Sequence, residues 1–160
     1  MSDLYRKNVG IVVANQKGLV LMCARADQKD NQWQFPQGGI EAGEDIIEAA
    51  KRELYEETGI NSVRLIKQMP EPLRYDFPKN DKTHRFGNYI GQEQTWVLFE
   101  FTGNDSEINF YTNPQEIEFK AFEWVDISEA PERIIAFKKQ VYQKVAAYFT
   151  GYLKEKSHGR

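Results

Sequence analysis

Three glutamates fall within five residues of each other in the run Arg52-Glu53-Leu54-Tyr55-Glu56-Glu57. On a helix, steps of three and four residues bring such carboxylates to one side. Like charges spaced i, i+4 cost about 0.2–0.5 kcal/mol per pair on an exposed helix, and more where the dielectric falls. Glu48, four residues before Arg52, makes an ordinary favourable pair with it, and Arg52 can also reach Glu56. One guanidinium does not neutralise three clustered carboxylates. A hard divalent cation does, because Mg²⁺ takes oxygen ligands from a few carboxylates together with substrate phosphates. A solvated acidic face is the competing reading of three glutamates. The glycine-rich turn Gln37-Gly38-Gly39 just before the helix lowers the weight of that reading, because its glycines let the main chain approach a metal or phosphate closely. A loop carbonyl beside three carboxylates is a candidate cation site.

The glutamates need a helix to hold them. Glu44 or Asp45 starts one, since an acid there accepts orphan backbone N–H groups at the positive dipole end. The helix runs to about Thr58 and Gly59 stops it. Ile47, Ala50 and Leu54 form its buried stripe. Before it, residues 9–15 and 19–24 make a hairpin through Gln16-Lys17-Gly18. Trp33-Gln34-Phe35 alternates, and Pro36 with Gly38-Gly39 then breaks regular structure. After the helix, 62–68 reads as a strand, and three prolines mark an irregular stretch from Pro70 to about Gly91. Residues 93–102 and 119–125 are strands. Ser128-Glu129-Ala130-Pro131 begins a helix. The apolar period Ile134, Phe137, Val141, Val145, Tyr148, Tyr152 extends it as a C-terminal helix over about 132–154, and the charged tail beyond is expected to fray. Strands interleaved with helices predict one α/β (α+β) domain over residues 1–160, a mixed sheet between helices.

Composition narrows the classes. Lys and Arg number 21 against 24 Asp and Glu, a net charge of −3, which argues against a protein that coats nucleic acid or binds duplex DNA stably. One phosphorylated end remains an acceptable partner. The 41 % hydrophobic content excludes intrinsic disorder. No apolar run reaches the ~18–20 residues of a membrane helix, and the first residues lack the apolar core of a secretory signal, so a cytoplasmic protein is expected. Cys23 is the sole cysteine and reads as a small buried hydrophobe on a strand. His84 and His158 stand alone, which disfavours a histidine metal site. The sequence carries no sign of oligomeric state.

The run Gly38 to Ile60 resembles a complete Nudix box: Gly38, five residues, Glu44, seven residues, Arg52-Glu53-Leu54, one residue, Glu56-Glu57, one residue, Gly59-Ile60. With seven fixed residues, a chance match is of order one in a million. The resemblance implies an α/β/α sandwich whose box forms a loop–helix–loop. It also implies Mg²⁺-dependent hydrolysis of a nucleoside diphosphate linked to another group, with Mn²⁺ as a substitute ion. Carried over by position, it makes Glu53, Glu56 and Glu57 metal ligands, with the Gly38 carbonyl as a further contact. Arg52 orients the carboxylates and Glu44 holds the loop. Glu53 is the choice for the base that takes a proton from the attacking water, with Glu57 the alternative.

Outside the box, Trp33 to Gly39, Leu73 to Pro78, Gly91 to Trp96, Ala136 to Tyr142 and the early Tyr5 to Gly10 are similar to bacterial RNA pyrophosphohydrolases. The related diadenosine tetraphosphate hydrolases share much of this. The resemblance implies removal of pyrophosphate from the 5′-triphosphate end of RNA, or of phosphate from a 5′-diphosphate end. Hydrolysis of dinucleoside polyphosphates or nucleoside triphosphates is the alternative, and a non-catalytic nucleotide-binding module a third. On this reading Arg6, Arg25 and Lys138 grip phosphates. Phe137 and Tyr75 offer faces to a base, although the helical period also gives Phe137 a core role and the prolines give Tyr75 a plug role. Gln37, Gln92 and Gln94 hydrogen-bond a base edge or phosphate. Glu118 is the family's additional acid, with Glu116 as its alternative. The chain departs from the subgroup at Lys7, at Ala26 and over 79–89.

Overall fold

The computed structural model describes residues 4–79 and 87–158, with side chains to Lys154. His84, the His158 side chain and most of the 79–89 segment therefore lie outside the described residues.

The sheet is organised by β1 (Tyr5–Ala14), whose apolar residues serve two cores: Val9, Ile11 and Val13 on one face, Val12 and Ala14 on the other. Beside it β7 (Gly91–Phe101) runs parallel from Tyr5↔Gly91 to Ala14↔Glu100. On its other side β1 meets β2 (Val20–Arg25) at Ala14↔Val20 and β4 (Gln37–Gly39) at Asn8↔Gly39 to Gly10↔Gln37. Also in the sheet, β3 (Trp33–Gln34) and β8 (Phe119–Val125) pair with β2, while β5 (Val63–Gln68) and β6 (Leu73–Asp76) pair with β7. These pairings are antiparallel, so the sheet is mixed. One face is covered by α1 (Ile46–Thr58), whose Ala49, Ala50 and Leu54 pack with Val9, Ile11, Val97 and Phe99. The other is covered by α2 (Ala130–Arg133) and α3 (Lys139–His158), whose Val141, Tyr142, Val145 and Phe149 pack with Val12, Met22, Phe35 and Trp96. The expected sandwich is present. Cys23 is fully buried on β2 as expected, and no helix among the described residues is long and apolar enough to cross a membrane.

Both ends of α1 follow the sequence signals. The Asp45 side chain accepts from the Ile47 and Glu48 amides at 3.0 and 3.1 Å, and Gly59 closes the helix at φ 77°. Three expectations are corrected. Gln37-Gly38-Gly39 is a strand, not a break, and its glycines serve close packing: a Cβ on Gly38 would run into the Glu53 carboxyl group and one on Gly39 into the Arg6 guanidinium. The proline-rich stretch contains β6, accommodated as an edge strand between Pro72 and Pro78. The C-terminal helix is not continuous over 132–154. Ile134 turns to an extended conformation (φ −82°, ψ 152°), which seats its side chain in the core, and a 3₁₀ turn over Ala136–Lys138 follows before α3 starts at Lys139. Phe137 therefore lies on that turn, 37 % exposed, rather than on the apolar stripe of a helix. At the far end α3 continues past Lys154 to His158 where fraying was expected.

Candidate active site

A cleft of about 490 Å³ opens between α1 and β4 on one side and the ends of β1, β2, β6, β7 and the 3₁₀ turn on the other. Its first wall is acidic. Arg52 is the hub: Nε and Nη2 donate to the two oxygens of Glu44 at 2.8 and 2.9 Å, Nη2 also to the Gly39 carbonyl at 3.0 Å, and Nη1 to Glu53 at 2.8 Å and Glu56 at 3.4 Å. The expected Glu48–Arg52 pair does not form, because Glu44 in the preceding loop offers a bidentate partner. The Arg52 hydrogen bond holds the Glu44 carboxyl at about 2, and Glu44 also accepts from the Glu41 amide at 3.0 Å. Arg52 thereby clamps loop, strand and helix together.

Glu57 differs from its neighbours. Leu54 and Thr58 anchor its side of α1 in the core, so Glu57 is buried while Glu56 stays exposed. Its Oε1 lies 3.4 Å from the Gln37 amide. Burial first, then the charges of Glu53 and Glu118, push its carboxyl well above the ordinary range. Burial also raises Glu53, against the opposing pull of Arg52.

The second wall is cationic and aromatic. Arg6 Nη1 donates to Gln92 Oε1 at 2.8 Å, and Gln92 Nε2 donates to the Tyr75 hydroxyl at 2.7 Å. A guanidinium only donates, so this order is fixed. Lys138 Nζ stands 5.4 Å from the Tyr75 ring centre and 5.8 Å from that of Phe137. Arg25 makes a two-point pair with Asp27 at 2.9 and 2.6 Å on the rim.

The cleft brings together Arg6, Arg25, Gln37, Gly38, Glu53, Glu56, Glu57, Tyr75, Gln92, Glu118, Phe137 and Lys138, and with them the alternative Glu116. Two expectations need correction. Gln94 does not line the cleft. It is buried one layer behind and donates to Asn8 Oδ1 at 2.9 Å. Tyr75 is buried, with the Phe77 and Phe137 ring centres 6.1 and 5.7 Å away and Lys138 Nζ over its own ring, so it has no open face to offer a base. Phe137 keeps the exposed face. Two residues escaped the sequence reading. Asn8, fully buried, donates from Nδ2 to Gln37 Oε1 at 2.7 Å. Its only signal is an amide beside the apolar run Val9 to Val13. Tyr142 of α3 accepts the Phe35 amide at 2.9 Å and stacks on the Phe35 ring. That amide sits where the chain leaves β3 for β4, and a 3.6-residue apolar period gives no hint of such a contact.

The donor set suits a hard divalent cation. Glu57 is a buried carboxylate facing Glu53 and Glu118, and Gly38 brings main chain against Glu53. Among the described residues no three acidic, histidine or cysteine side chains already converge as a ligand cluster. Arg52 holds Glu53 and Glu56 from the rim of this group.

A NUDIX domain model matches residues 4–145. The RNA pyrophosphohydrolase of Bartonella clarridgeiae is 46 % identical, with 94 % of this chain and 92 % of the relative covered. That of Rhizobium meliloti (strain 1021) is 43 % identical, with 91 % and 93 % covered. In shape, the chain is similar to the E. coli dihydroneopterin triphosphate pyrophosphohydrolase (TM-score 0.69, 21 % identity, 91 % and 99 % covered). It is also similar to a C. elegans Ap4A hydrolase (TM-score 0.63, 19 % identity, 91 % and 98 % covered). At those identities the structural likeness speaks to fold alone.

Proposed function

This chain belongs to the NUDIX family of hydrolases, and from that premise we propose that it removes pyrophosphate from the 5′-triphosphate end of RNA, or phosphate from a 5′-diphosphate end, in the cytoplasm. The observation that carries this reading is the pairing of walls across one cleft: carboxylates on one side, phosphate-binding cations and an exposed aromatic face on the other. Its size suits one nucleotide with its polyphosphate, and its open side lets a chain leave. The relatives named RNA pyrophosphohydrolase favour an RNA end over a free nucleotide.

In the proposed reaction a water oxygen attacks phosphorus, the anhydride P–O bond breaks, and pyrophosphate leaves from a 5′-monophosphate end. Glu53, seated against Gly38 and lining the cleft, accepts the water proton. Arg52 fixes the Glu53 rotamer through its 2.8 Å contact. Glu53, Glu56, Glu57 and Glu118, with the Gly38 carbonyl, are the groups that would hold Mg²⁺, or Mn²⁺ in its place. When bound, that ion neutralises the polyphosphate and makes the attacking water more acidic. Arg6, Arg25 and Lys138 bind the phosphates by charge-assisted hydrogen bonds, and Phe137 stacks on the first base.

A competition assay tests the substrate. A 5′-triphosphorylated oligoribonucleotide, diadenosine tetraphosphate and GTP are offered at equal concentration with Mg²⁺. The RNA end should be consumed first. Faster turnover of either small nucleotide assigns the chain to nucleotide hydrolysis, and no turnover with Mg²⁺ or Mn²⁺ assigns it to binding alone.

A further inference from the structure

We infer that the buried pair Gln94 and Asn8 orients the Gln37 side chain so that its NH₂ group, not its carbonyl, faces the cleft and donates to a non-bridging oxygen of the bound polyphosphate. Three amides form a line running from the core outward. Gln94 Nε2 donates to Asn8 Oδ1 at 2.9 Å, and Asn8 Nδ2 donates to Gln37 Oε1 at 2.7 Å. Asn8 and Gln94 are 0 % and 3 % exposed, whereas Gln37 lines the cleft.

Each amide has one accepting and one donating end. With Gln37 Oε1 turned to Asn8, Nε2 is the end directed away from it, and among the described residues Nε2 donates to no protein group. The backbone locks the line in place. Asn8 pairs with Gly39 on one side and Gln94 on the other, so β1 sits between the strands carrying its two partners.

The consequence is specific. A glutamine free to turn over could offer its carbonyl to a cation or its NH₂ to an anion. This one is set as a donor, so it recognises phosphate oxygens and takes no part in holding the metal. Gln37 touches substrate. Asn8 acts through Gln37 and is a positioning residue. The acceptor's identity rests on the polyphosphate reading above; the polarity of the line does not.

The test is a double-mutant cycle on the full chain. Its readouts are the dissociation constant of a non-hydrolysable analogue, β,γ-methylene GTP, and the melting temperature. Gln37→Met should weaken binding about tenfold, the usual size of a lost hydrogen bond to a charged acceptor. Gln37→Glu should weaken it further by setting a carboxylate against phosphate. Asn8→Leu keeps the shape but frees the Gln37 amide, and should weaken binding about two- to tenfold. In the Asn8→Leu/Gln37→Met double variant binding should be no weaker than in Gln37→Met alone, although the melting temperature still falls. If the two losses multiply, Asn8 acts through the fold and the inference is overturned. Wild-type affinity in Gln37→Met, or tighter binding in Gln37→Glu, overturns it as well. Should Asn8→Leu not fold, Gln94→Leu takes its place in the cycle. A wild-type protein that binds the analogue but leaves triphosphorylated RNA intact refutes the proposed substrate and leaves the cycle standing.

Discussion

The two walls of the cleft are stabilised in opposite ways. The acidic wall comes from α1 and the strand before it, and its carboxylates oppose one another: Glu57 is buried against Glu53 and Glu118, and one guanidinium serves Glu44, Glu53 and Glu56. The cationic wall is drawn from distant segments, yet its groups already have partners: Arg6 with Gln92, Gln92 with Tyr75, Arg25 with Asp27. One wall holds repulsion that a bound cation would remove. The other is set before any ligand arrives. The difference separates a strained wall from a relaxed one, since only the first should grow more stable when its carboxylates are neutralised.

The sharpest test is therefore on α1. Glu53→Gln should cut kcat by about 10²–10⁴-fold, the usual worth of a positioned base. Glu57→Gln should also abolish most turnover, and in EDTA it should melt higher than wild type. The sign follows from the raised folded-state pKa of Glu57. The wild-type contribution is fully present below the ordinary value of 4.5 and is lost as pH rises through the raised folded value. The advantage of Glu57→Gln in EDTA should thus grow from pH 4 toward neutrality in thermal melts, and saturating Mg²⁺ should erase it by stabilising only the wild type. A variant that melts lower than wild type at pH 7 in EDTA would show that the acidic wall is not under strain.

On the other wall the expected losses are smaller and fall on binding. Phe137→Ala should raise KM by about 5- to 150-fold, matching ~1–3 kcal/mol for a stacked base, with kcat nearly unchanged. Steady-state kinetics on triphosphorylated RNA checks this. An equal loss in kcat would mean that Phe137 shapes the reacting geometry, and the division of labour between the walls would fail.

The same contrast explains what was legible in the sequence. Apart from Glu118, the acidic wall lies within residues 38–60, where helix period, cap and stop are local signals, so Glu53, Glu57, Asp45 and Gly59 were readable. The opposite wall depends on pairings between residues up to 86 apart, such as Arg6 with Gln92. Gln92 and Gln94 share a face of β7 by alternation. Both are buried, and what separates them is their partners: Gln92 lies opposite Tyr75 and bonds Arg6 and Tyr75 at the cleft, while Gln94 sits two residues further along, beside Asn8. The break at Ile134 was hidden because no glycine or proline marks it within an unbroken apolar period. The strand at Gln37-Gly38-Gly39 was hidden because its glycines answer to Glu53 and Arg6, not to local propensity.

The smallest expected effect concerns the reverse face of the second wall. There Lys7 and Arg74 both pair with Glu93, Arg74 lies 4.5 Å over the Tyr5 ring, and Tyr5 donates to Asp76 at 2.6 Å. These residues alternate with Arg6, Tyr75 and Gln92 along the same strands, so they back the groups that face the cleft. Lys7 and Arg74 are more than half exposed, and solvent screens such pairs. Glu93→Gln should therefore cost less than about 1 kcal/mol in urea unfolding at pH 7. The hydrogen bond from Lys7 holds the Glu93 carboxyl below its ordinary range. Its contribution is present above 4.5 and is lost as pH falls through the lower folded value, so the cost should vanish in acid. KM should not move, because Gln92 and Tyr75 keep their own hydrogen bond when the outer pairs are gone. A tenfold rise in KM on Glu93→Gln would make the outer charges part of what sets the cationic wall, and its independence from its surroundings would be lost.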